Sequence, residues 1–534
     1  MRLLHLSVEN FRGVRSLDLD LDEMTVVIAE NKHGKTSVFD VLGLCLGPRG
    51  ADPDTLFREE DFYRDVNGTI ADIRIVLTFE GEETLRLEFL GAHTDRKLVR
   101  SFIDTEGQAL DPQPDAGVFQ ALQERHPVLL LRFSQPTLAR LDDGEADDST
   151  GPDKRRSRLR LAETVARVYR DLAHTREPLP ADEIASALRA AQDLLTESPE
   201  DGHPPLHGML EELRQEVQAW NRPRRADSMI DLSGSGTHNL ALLLVLGSLL
   251  DVRGGKALPS DACPIIAIEE PEAHLHPILL ASTWEVIESL KAQTIVTTNS
   301  GELLSSVPMI SLRRLVKVDD HVLVHRLRRE TLRESDLRRV SYHVRARRGG
   351  VLFARCWLMV EGESEFWLMN HLSQIMGYDL ESEGIRTIEF AQCGVGPLLK
   401  LANDLGIAWH LLADGDESGQ VYARDARRLL GDALEGRRIS ELGHRDIEHY
   451  LWHSGFEPVY RNAARIAPRP DGGGPPPGHI IGKAVRRTSK PYLALAVAEA
   501  CEREGPAAIP PVLRSVVETA VMLARQAAGD ARPS

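Results

Sequence analysis

The sequence predicts an α/β protein with more than one parallel-sheet domain. Three segments carry this prediction, at 24–46, 265–277 and 356–372. Each begins with a short apolar run, which is typical of a strand buried on both faces, and continues into a polar turn. A fourth apolar run, at 410–413, also ends in acidic residues. Because parallel strands present their carboxyl ends at one edge of a sheet, we expect these polar turns to form ligand sites there.

Composition indicates an intracellular protein of at least two domains. With 534 residues, 42% of them hydrophobic, the chain can bury two or more cores at ~100–200 residues per domain. Its five cysteines are widely spaced and form no C-x-x-C pair, which excludes a disulfide framework and a zinc site of paired cysteines. No apolar run is long enough for a secretory signal or a membrane span. We therefore expect a cytoplasmic protein with no membrane partner.

The net charge of −17 argues against a protein that coats nucleic acid over its whole surface. Three basic segments, 154–160, 345–348 and 486–487, could still neutralise phosphates, although each is better explained as a solvated face.

The segment 24–46 reads as a strand, a phosphate-binding loop and a helix. In such a loop the backbone N–H groups face the phosphates, while Lys35 reaches the β- and γ-phosphate oxygens and the Thr36 hydroxyl reaches Mg²⁺. The expected nucleotide-binding residues are Asn31, Gly34, Lys35, Thr36 and Ser37. Ala29 stands where the pattern has its first glycine.

The strand at 265–269 delivers two adjacent carboxylates, Glu269 and Glu270, into a turn. One carboxylate at such a strand end can hold Mg²⁺, and its neighbour can polarise the water that attacks the γ-phosphate. Upstream, Ser233 and Gly234 precede the apolar helical segment 240–250, and a helix start of this kind suits an anion, although alone it would be only an N-cap. A further strand, at 294–298, ends in Asn299.

The segments past residue 350 predict a metal site. Glu361 follows the strand at 356–360, and Asp414 and Asp416 follow the strand at 410–413. Residues i and i+2 of an extended chain point the same way, so both aspartates can face one cation. Carboxylate clusters of this type bind hard divalent cations. Taken alone, Asp-Gly-Asp is better explained as a surface turn.

The first set of motifs, in the order phosphate loop, Ser-Gly helix start and Glu-Glu strand, resembles the ABC-type ATPase head of the structural-maintenance and recombination ATPases. The resemblance implies that ATP and Mg²⁺ lie between two heads of a homodimer, with the Ser233 helix of one copy covering the γ-phosphate bound by the other. Three departures, Ala29, Glu269 for the usual Asp and Asn299 for the usual His, suggest slow or conditional turnover.

The second set, Val360-Glu361-Gly362 followed by Ala413-Asp414-Gly415-Asp416, resembles the two-part signature of the Toprim domain. A head followed by a Toprim domain resembles the OLD-family (overcoming-lysogenisation-defect) ATP-dependent endonucleases. The resemblance implies an ATPase head at 1–136 and 229–340, a helical insertion at 137–228 that makes dimer contacts, and a Toprim domain with C-terminal helices at 350–534.

Within that family the metal site holds two ions, Mg²⁺ or Mn²⁺, and is completed by another acid and a lysine. Glu448 is the matching acid, with Asp446 as second choice, and Glu365 is expected to contact the second ion. Lys490 is the matching lysine, with Lys483 as a competitor.

The resemblance implies a homodimeric, ATP-dependent endonuclease that hydrolyses DNA, with a role in DNA repair or phage defence. Two other classes remain open at this stage. One is a non-cleaving, ATP-driven DNA clamp or repair mediator, and the other is a primase or topoisomerase, although the chain has no separate region for the tyrosine nucleophile that strand rejoining needs.

Overall fold

A computed structural model of the chain describes residues 2–30, 33–46, 57–65, 67–81, 84–111, 116–126, 128–132, 263–273, 275, 277, 280–290, 292–346, 349–430, 435–467 and 474–528. These residues form two compact units, Met1–Val324 and His325–Ser534. The predicted binding residues Asn31, Ser233 and Gly234 and the predicted helical insertion at 137–228 lie outside the described residues.

The first unit contains a mixed sheet. Its strands are β1 Leu3–Phe11, β2 Val14–Asp20, β3 Met24–Ala29, β4 Ile73–Phe79, β5 Leu85–Gly91, β6 Leu98–Ile103, β7 Val128–Arg132, β8 Ile265–Glu269, β9 Gln293–Thr297, β10 Leu312–Val318 and β11 His321–His325. They are ordered β6-β5-β4-β1-β2-β11-β10-β3-β9-β8-β7. The part from β6 to β2 is antiparallel, and the part from β10 to β7 is parallel.

The two parts of this sheet differ in how their side chains are buried. Strand β2 alternates between buried and exposed positions, as expected when one face meets solvent. Every residue of β8 and β9 is buried, which explains the apolar run at 265–268 in β8. The helices described in this unit are α1 Lys35–Cys45, α2 Ala116–Arg125, α3 Leu280–Ser289 and α4 Gly301–Leu304. Helix α1 buries Val38, Leu42 and Cys45 in the core of the unit.

The second unit contains a smaller sheet in which all pairings are parallel. Its strands, β12 Cys356–Val360, β13 Ile385–Glu389, β14 Ala408–Ala413 and β15 Ile439–Glu441, are ordered β13-β12-β14-β15. The described helices are α5 Glu334–Ala346, α6 Glu363–Ile375, α7 Val395–Asp404, α8 Glu417–Arg427, α9 Ile447–Leu451, α10 Glu457–Ala464, α11 Pro477–Arg487, α12 Lys490–Glu504 and α13 Pro511–Ala527. A π-helical turn, Trp452–Phe456, separates α9 from α10.

The helices of the second unit build its core around strand β12. Helices α6 and α12 pack along each other, and α13 contacts β12, β13 and β14. The second compact unit begins at His325. Helix α5 contacts α7 there. None of the helices within the described ranges is long and apolar enough to cross a membrane.

Candidate functional site

The first site lies where strands β3, β8 and β9 end. These strands are parallel neighbours, so the residues that follow them share one edge of the sheet. After β3 the chain reaches Gly34, whose φ of 97° lies in the left-handed region that favours glycine, and α1 starts at the next residue. Lys35, Thr36 and Ser37 therefore occupy the first turn of α1.

Lys35 is held by two oxygens at this edge. Its Nζ donates to the Ala29 carbonyl oxygen at 2.8 Å and to Oδ1 of Asn299. Burial lowers the pKa of Lys35, while Glu270, Glu272 and Glu269 oppose that shift. The ammonium therefore lies within the electrostatic reach of all three carboxylates.

The Thr36 hydroxyl donates to Oε1 of Glu269 at 2.7 Å, so the two residues predicted to hold Mg²⁺ already touch. Glu269 is buried at the end of β8. A hydroxyl and a carboxylate together form an oxygen donor set of the type that Mg²⁺ prefers, and the pair therefore fits the ion.

Glu270 is joined to Lys35 through Asn299. The Asn299 side chain accepts from Lys35 through Oδ1 and donates through Nδ2 to Oε1 of Glu270 at 2.5 Å. Glu270 has a φ of 51°, an uncommon conformation for a residue with a side chain, and its N–H donates to the Thr297 carbonyl oxygen at 2.9 Å. The contact across the sheet end thus holds the predicted catalytic acid in an unusual backbone conformation.

Glu272 was not singled out from the sequence. Its Oε1 accepts from the Thr298 hydroxyl and from the Asn299 N–H, both at 2.8 Å, and thereby fixes the turn that carries Asn299. Burial raises the pKa of Glu272. The Glu-Pro-Glu spacing after β8 was the feature that could have identified it, since it places a second acid in the same turn.

The second site, here called the acidic centre, consists of five carboxylates, of which three follow strands β12 and β14, one lies in α6 and one lies in α9. They are Glu361, Glu365, Asp414, Asp416 and Glu448. Glu361 directly follows β12 and Asp414 directly follows β14, and these strands are parallel neighbours. The structure thus places all five predicted acids in one region of the second unit, where their charges act on one another.

Local hydrogen bonds position three of these acids. Asp416 caps α8 by accepting from the Gly419 N–H at 2.8 Å. Glu365, in the first turn of α6, accepts from the Gly362 N–H at 3.1 Å. Glu448, only 3% exposed, pairs with the Lys490 ammonium at 3.1 Å.

Crowding of negative charge changes the titration of the acidic centre. Burial, followed by the charges of Glu365 and Glu361, raises the pKa of Asp414 to about 8. Burial also raises the pKa of Glu365 to about 7 and raises that of Glu361, where Asp416 is the next cause. Shifts of this direction mark negative charge that lacks compensation, which a divalent cation would neutralise.

The hydrogen bonding of Glu361 also bears on whether the acidic centre suits a divalent cation. The Oε2 atom of Glu361 is buried and has no hydrogen-bond partner among the described residues. An acceptor of this kind suits a cation ligand. Across the described residues, however, no three His, Cys, Asp or Glu side chains are already arranged to hold one ion together. The acids therefore supply the donors and the charge, while their side chains must turn toward one another to share an ion.

Lys490, rather than its competitor Lys483, forms the ion pair with Glu448. Burial alone would lower the pKa of Lys490, but Glu448, Asp446 and Glu365 outweigh it, and the pKa is raised. The side chain is therefore a cation beside the acidic centre.

Asp446 is engaged with a neighbour. Its Oδ1 accepts from the His449 N–H at 2.9 Å, which caps α9, and shares a hydrogen bond with His449 Nδ1 at 2.5 Å. Burial opposes the resulting shift, yet these contacts lower the pKa of Asp446. His449 was not predicted from the sequence, and its i+3 spacing from Asp446 was the available indication. Tyr422 was also missed; burial, Glu361 and Asp416 raise its pKa.

Two family models and a full-length relative match the chain. The family described as "Protein of unknown function (DUF2813)" matches residues 1–89 and 88–350, and the family described as "Overcoming lysogenization defect protein-like, TOPRIM domain" matches residues 352–416. The chain is 34% identical to the "Uncharacterized protein YbjD" of Escherichia coli (strain K12), an alignment that covers 98% of this chain and 99% of that protein.

Two further similarities cover parts of the chain. The "Old nuclease" of Escherichia phage P2 is 26% identical over 215 residues, which are 38% of this chain and 36% of that protein. Among solved structures, an SMC head bound to the C-winged helix domain of ScpA matches with a TM-score of 0.38 and 12% identity, over 61% of this chain and 99% of that one.

Proposed function

Because this chain belongs to the DUF2813 family and also matches OLD-like proteins, we propose that it is an ATP-dependent endonuclease. In this proposal an ATPase head binds ATP, and the Toprim domain hydrolyses DNA at the acidic centre. The observation that carries the proposal is the gathering of five carboxylates in one region of the second unit, beside the Lys490 ammonium. A cluster of uncompensated carboxylates lowers the stability of the folded state, since each added acid repels the others. Such a cluster is typical of sites that bind divalent cations.

In the proposed reaction Glu361, Asp414 and Asp416 hold one divalent cation, and Glu365 and Glu448 contribute to a second. Mg²⁺ or Mn²⁺, when bound there, supplies an activated water and neutralises the leaving oxygen of a phosphodiester. Lys490 stabilises the negative charge that develops on the phosphate. Before metal binds, Lys490 keeps the buried Glu448 charge paired.

In the head, Thr36 and Glu269 are proposed to hold the Mg²⁺ of ATP, and Lys35 the phosphates. Glu270 orients and polarises the attacking water, and Asn299 positions Glu270 through its amide. ATP bound between two heads of a homodimer would then control how DNA reaches the acidic centre.

Plasmid cleavage tests the nuclease proposal. The wild-type chain is incubated with supercoiled plasmid and Mn²⁺, beside Asp414→Asn and the control Asp425→Asn. Asp425 lies on α8 in a partly exposed ion pair with Arg428, outside the acidic centre. We expect nicked or linear DNA from wild type and Asp425→Asn and none from Asp414→Asn.

Other products would assign the chain to other classes. Relaxed closed circles would indicate a topoisomerase. Plasmid that stays intact but is retained on the protein in an ATP-dependent manner would indicate the non-cleaving clamp, and either result rejects the nuclease.

A further inference from the structure

The turn between α11 and α12 exposes cationic and aromatic side chains beside the acidic centre. Arg486 and Arg487 end α11, and Lys490, which pairs with Glu448, begins α12. Residues 486–490 are all exposed, and Tyr492, in the first turn of α12, is 59% exposed.

The two arginines of this turn are available for a ligand. Other arginines of the second unit are paired, such as Arg461 with Glu457 and Arg525 with Glu383. Arg486 and Arg487 form no ion pair with any residue that the structure describes. A guanidinium without a carboxylate partner is well suited to a phosphate, which it can contact through two N–H groups.

A second exposed ring lies on the neighbouring helix. Trp367, in the second turn of α6, is 41% exposed, and Phe366 packs edge to face against it with ring centroids 5.5 Å apart. Helix α6 packs along α12, and the Glu365 charge acts on Lys490, so the first turns of both helices meet at the acidic centre. Trp367 lies two residues from Glu365, and Arg486, Arg487 and Tyr492 lie within four residues of Lys490, so all four side chains lie close in sequence to the acidic centre or to its paired lysine.

This combination selects one kind of ligand. Exposed aromatic rings bind the faces of unpaired bases, each worth ~1–3 kcal/mol, and arginines follow the phosphate backbone. An intact duplex keeps its base faces inside the stack, so it could use the arginines but not the rings.

We propose that the surface formed by Trp367, Arg486, Arg487 and Tyr492 binds an unpaired DNA strand and directs its backbone into the acidic centre. The substrate class is then single-stranded or frayed DNA rather than intact duplex. This inference rests on the proposed nuclease function and specifies its substrate.

Equilibrium binding tests the surface without cleavage. The full chain carrying Asp414→Asn is titrated against a labelled single strand and against the matching duplex, followed by fluorescence anisotropy. Tyr492→Ala should weaken single-strand binding roughly tenfold, while Tyr492→Phe, which keeps the ring, retains it. Tyr342→Ala is the matched control, because Tyr342 is 76% exposed on α5 and lies outside this surface.

The arginines provide an independent readout. Replacing both Arg486 and Arg487 with Ala should weaken single-strand binding and reduce its salt dependence, with a change in slope of ~0.7 for each phosphate that the variant no longer neutralises. Equal affinity for the two DNA forms, or unchanged binding by Tyr492→Ala, would overturn the proposal. Failure of the nuclease function is seen separately, as a labelled single strand and a supercoiled plasmid that both stay uncut in Mn²⁺ when Asp414 is present.

Discussion

At the scale of single residues, the side-chain amide of Asn299 connects Lys35 to Glu270 in the first site. Asn299 uses both of its side-chain polar atoms, accepting from Lys35 and donating to Glu270. A histidine at this position, which the family resemblance led us to expect, also offers a donor and an acceptor but can become charged. Asn299 therefore preserves the connection and removes its pH dependence.

Glu270→Gln should separate ATP binding from ATP hydrolysis in the head. Glutamine can still accept from Asn299 but is neutral and cannot polarise water as a carboxylate does, so ATP should bind while phosphate release falls at least ~100-fold. Release is measured with Glu302→Gln as the control, since Glu302 is an exposed acid of α4. If wild type, Glu270→Gln and Lys35→Ala release phosphate at the same low rate, the head binds ATP without hydrolysing it.

His410 predicts a dependence of stability on pH. It is fully buried in β14, and burial lowers its pKa from 6.5 to about 4. The unfolded chain therefore binds more protons between these values, so the stabilisation is complete above pH 6.5, falls as the pH drops, and is lost near pH 4. The total corresponds to roughly 3 kcal/mol.

Thermal unfolding between pH 4 and 7 measures this effect. His410→Gln keeps an amide in place of the ring but does not titrate, so its unfolding temperature should vary less with pH. His371, which is exposed on α6, provides the control His371→Gln. An unfolding profile of His410→Gln that parallels wild type would contradict the assignment.

At the scale of elements, the acidic centre depends on close backbone contacts after β14. A Cβ atom on Gly419, in the first turn of α8, would lie 2.0 Å from the Asp414 carbonyl oxygen, and one on Gly415 would lie 2.4 Å from that of His444. These glycines allow α8 to start directly against the strand end. The Asp-Gly-Asp segment is therefore a packed junction, unlike the solvated turn that the sequence alone also allowed.

Gly419→Ala should displace Asp414 and reduce DNA cleavage at least tenfold, with a loss of stability of ~1–3 kcal/mol. Gly396→Ala is the matched control, because Gly396 is also near the start of a helix, α7, and a Cβ there meets nothing within 4 Å. Helix propensity predicts that this control is neutral or stabilising by up to ~1 kcal/mol. Full cleavage by Gly419→Ala would argue against the junction positioning Asp414.

The sequence predicted elements well where a pattern is local. The strands that precede Lys35, Glu270, Glu361 and Asp414 were expected from apolar runs, since a strand buried on both faces has few other compositions. Glu272 and His449 were missed because their roles depend on where a turn places them, which no run of residues encodes.

At the scale of the whole molecule, the two sites lie in different compact units. The phosphate loop and its acids belong to the first unit, and the acidic centre to the second. In the proposed function, any coupling of ATP binding to DNA cleavage would therefore have to act between the two units or between subunits.

Metal binding should stabilise the second unit without any reaction. An ion that binds the folded state with a free concentration 100 times its dissociation constant adds ~2.7 kcal/mol, so Mn²⁺ should raise the unfolding temperature of the full chain. This rise in unfolding temperature should disappear in Asp414→Asn. It should persist in Lys35→Ala, because Lys35 lies in the first unit, away from the acidic centre. An equal shift in wild type and Asp414→Asn would place the Mn²⁺ site elsewhere.

The lysine at the start of α1 has one further consequence. Its ammonium donates to the Ala29 carbonyl oxygen and to the side-chain oxygen of Asn299. In the proposed function, a triphosphate that binds Lys35 would compete with both contacts, while the Asn299 amide would keep its hydrogen bond to Glu270 and the Asn299 N–H its bond to Glu272. Nucleotide binding would thus alter the hydrogen bonding of Asn299, which contacts Glu270. The binding of ATP and the orientation of the proposed catalytic acid would then be linked through this one side chain.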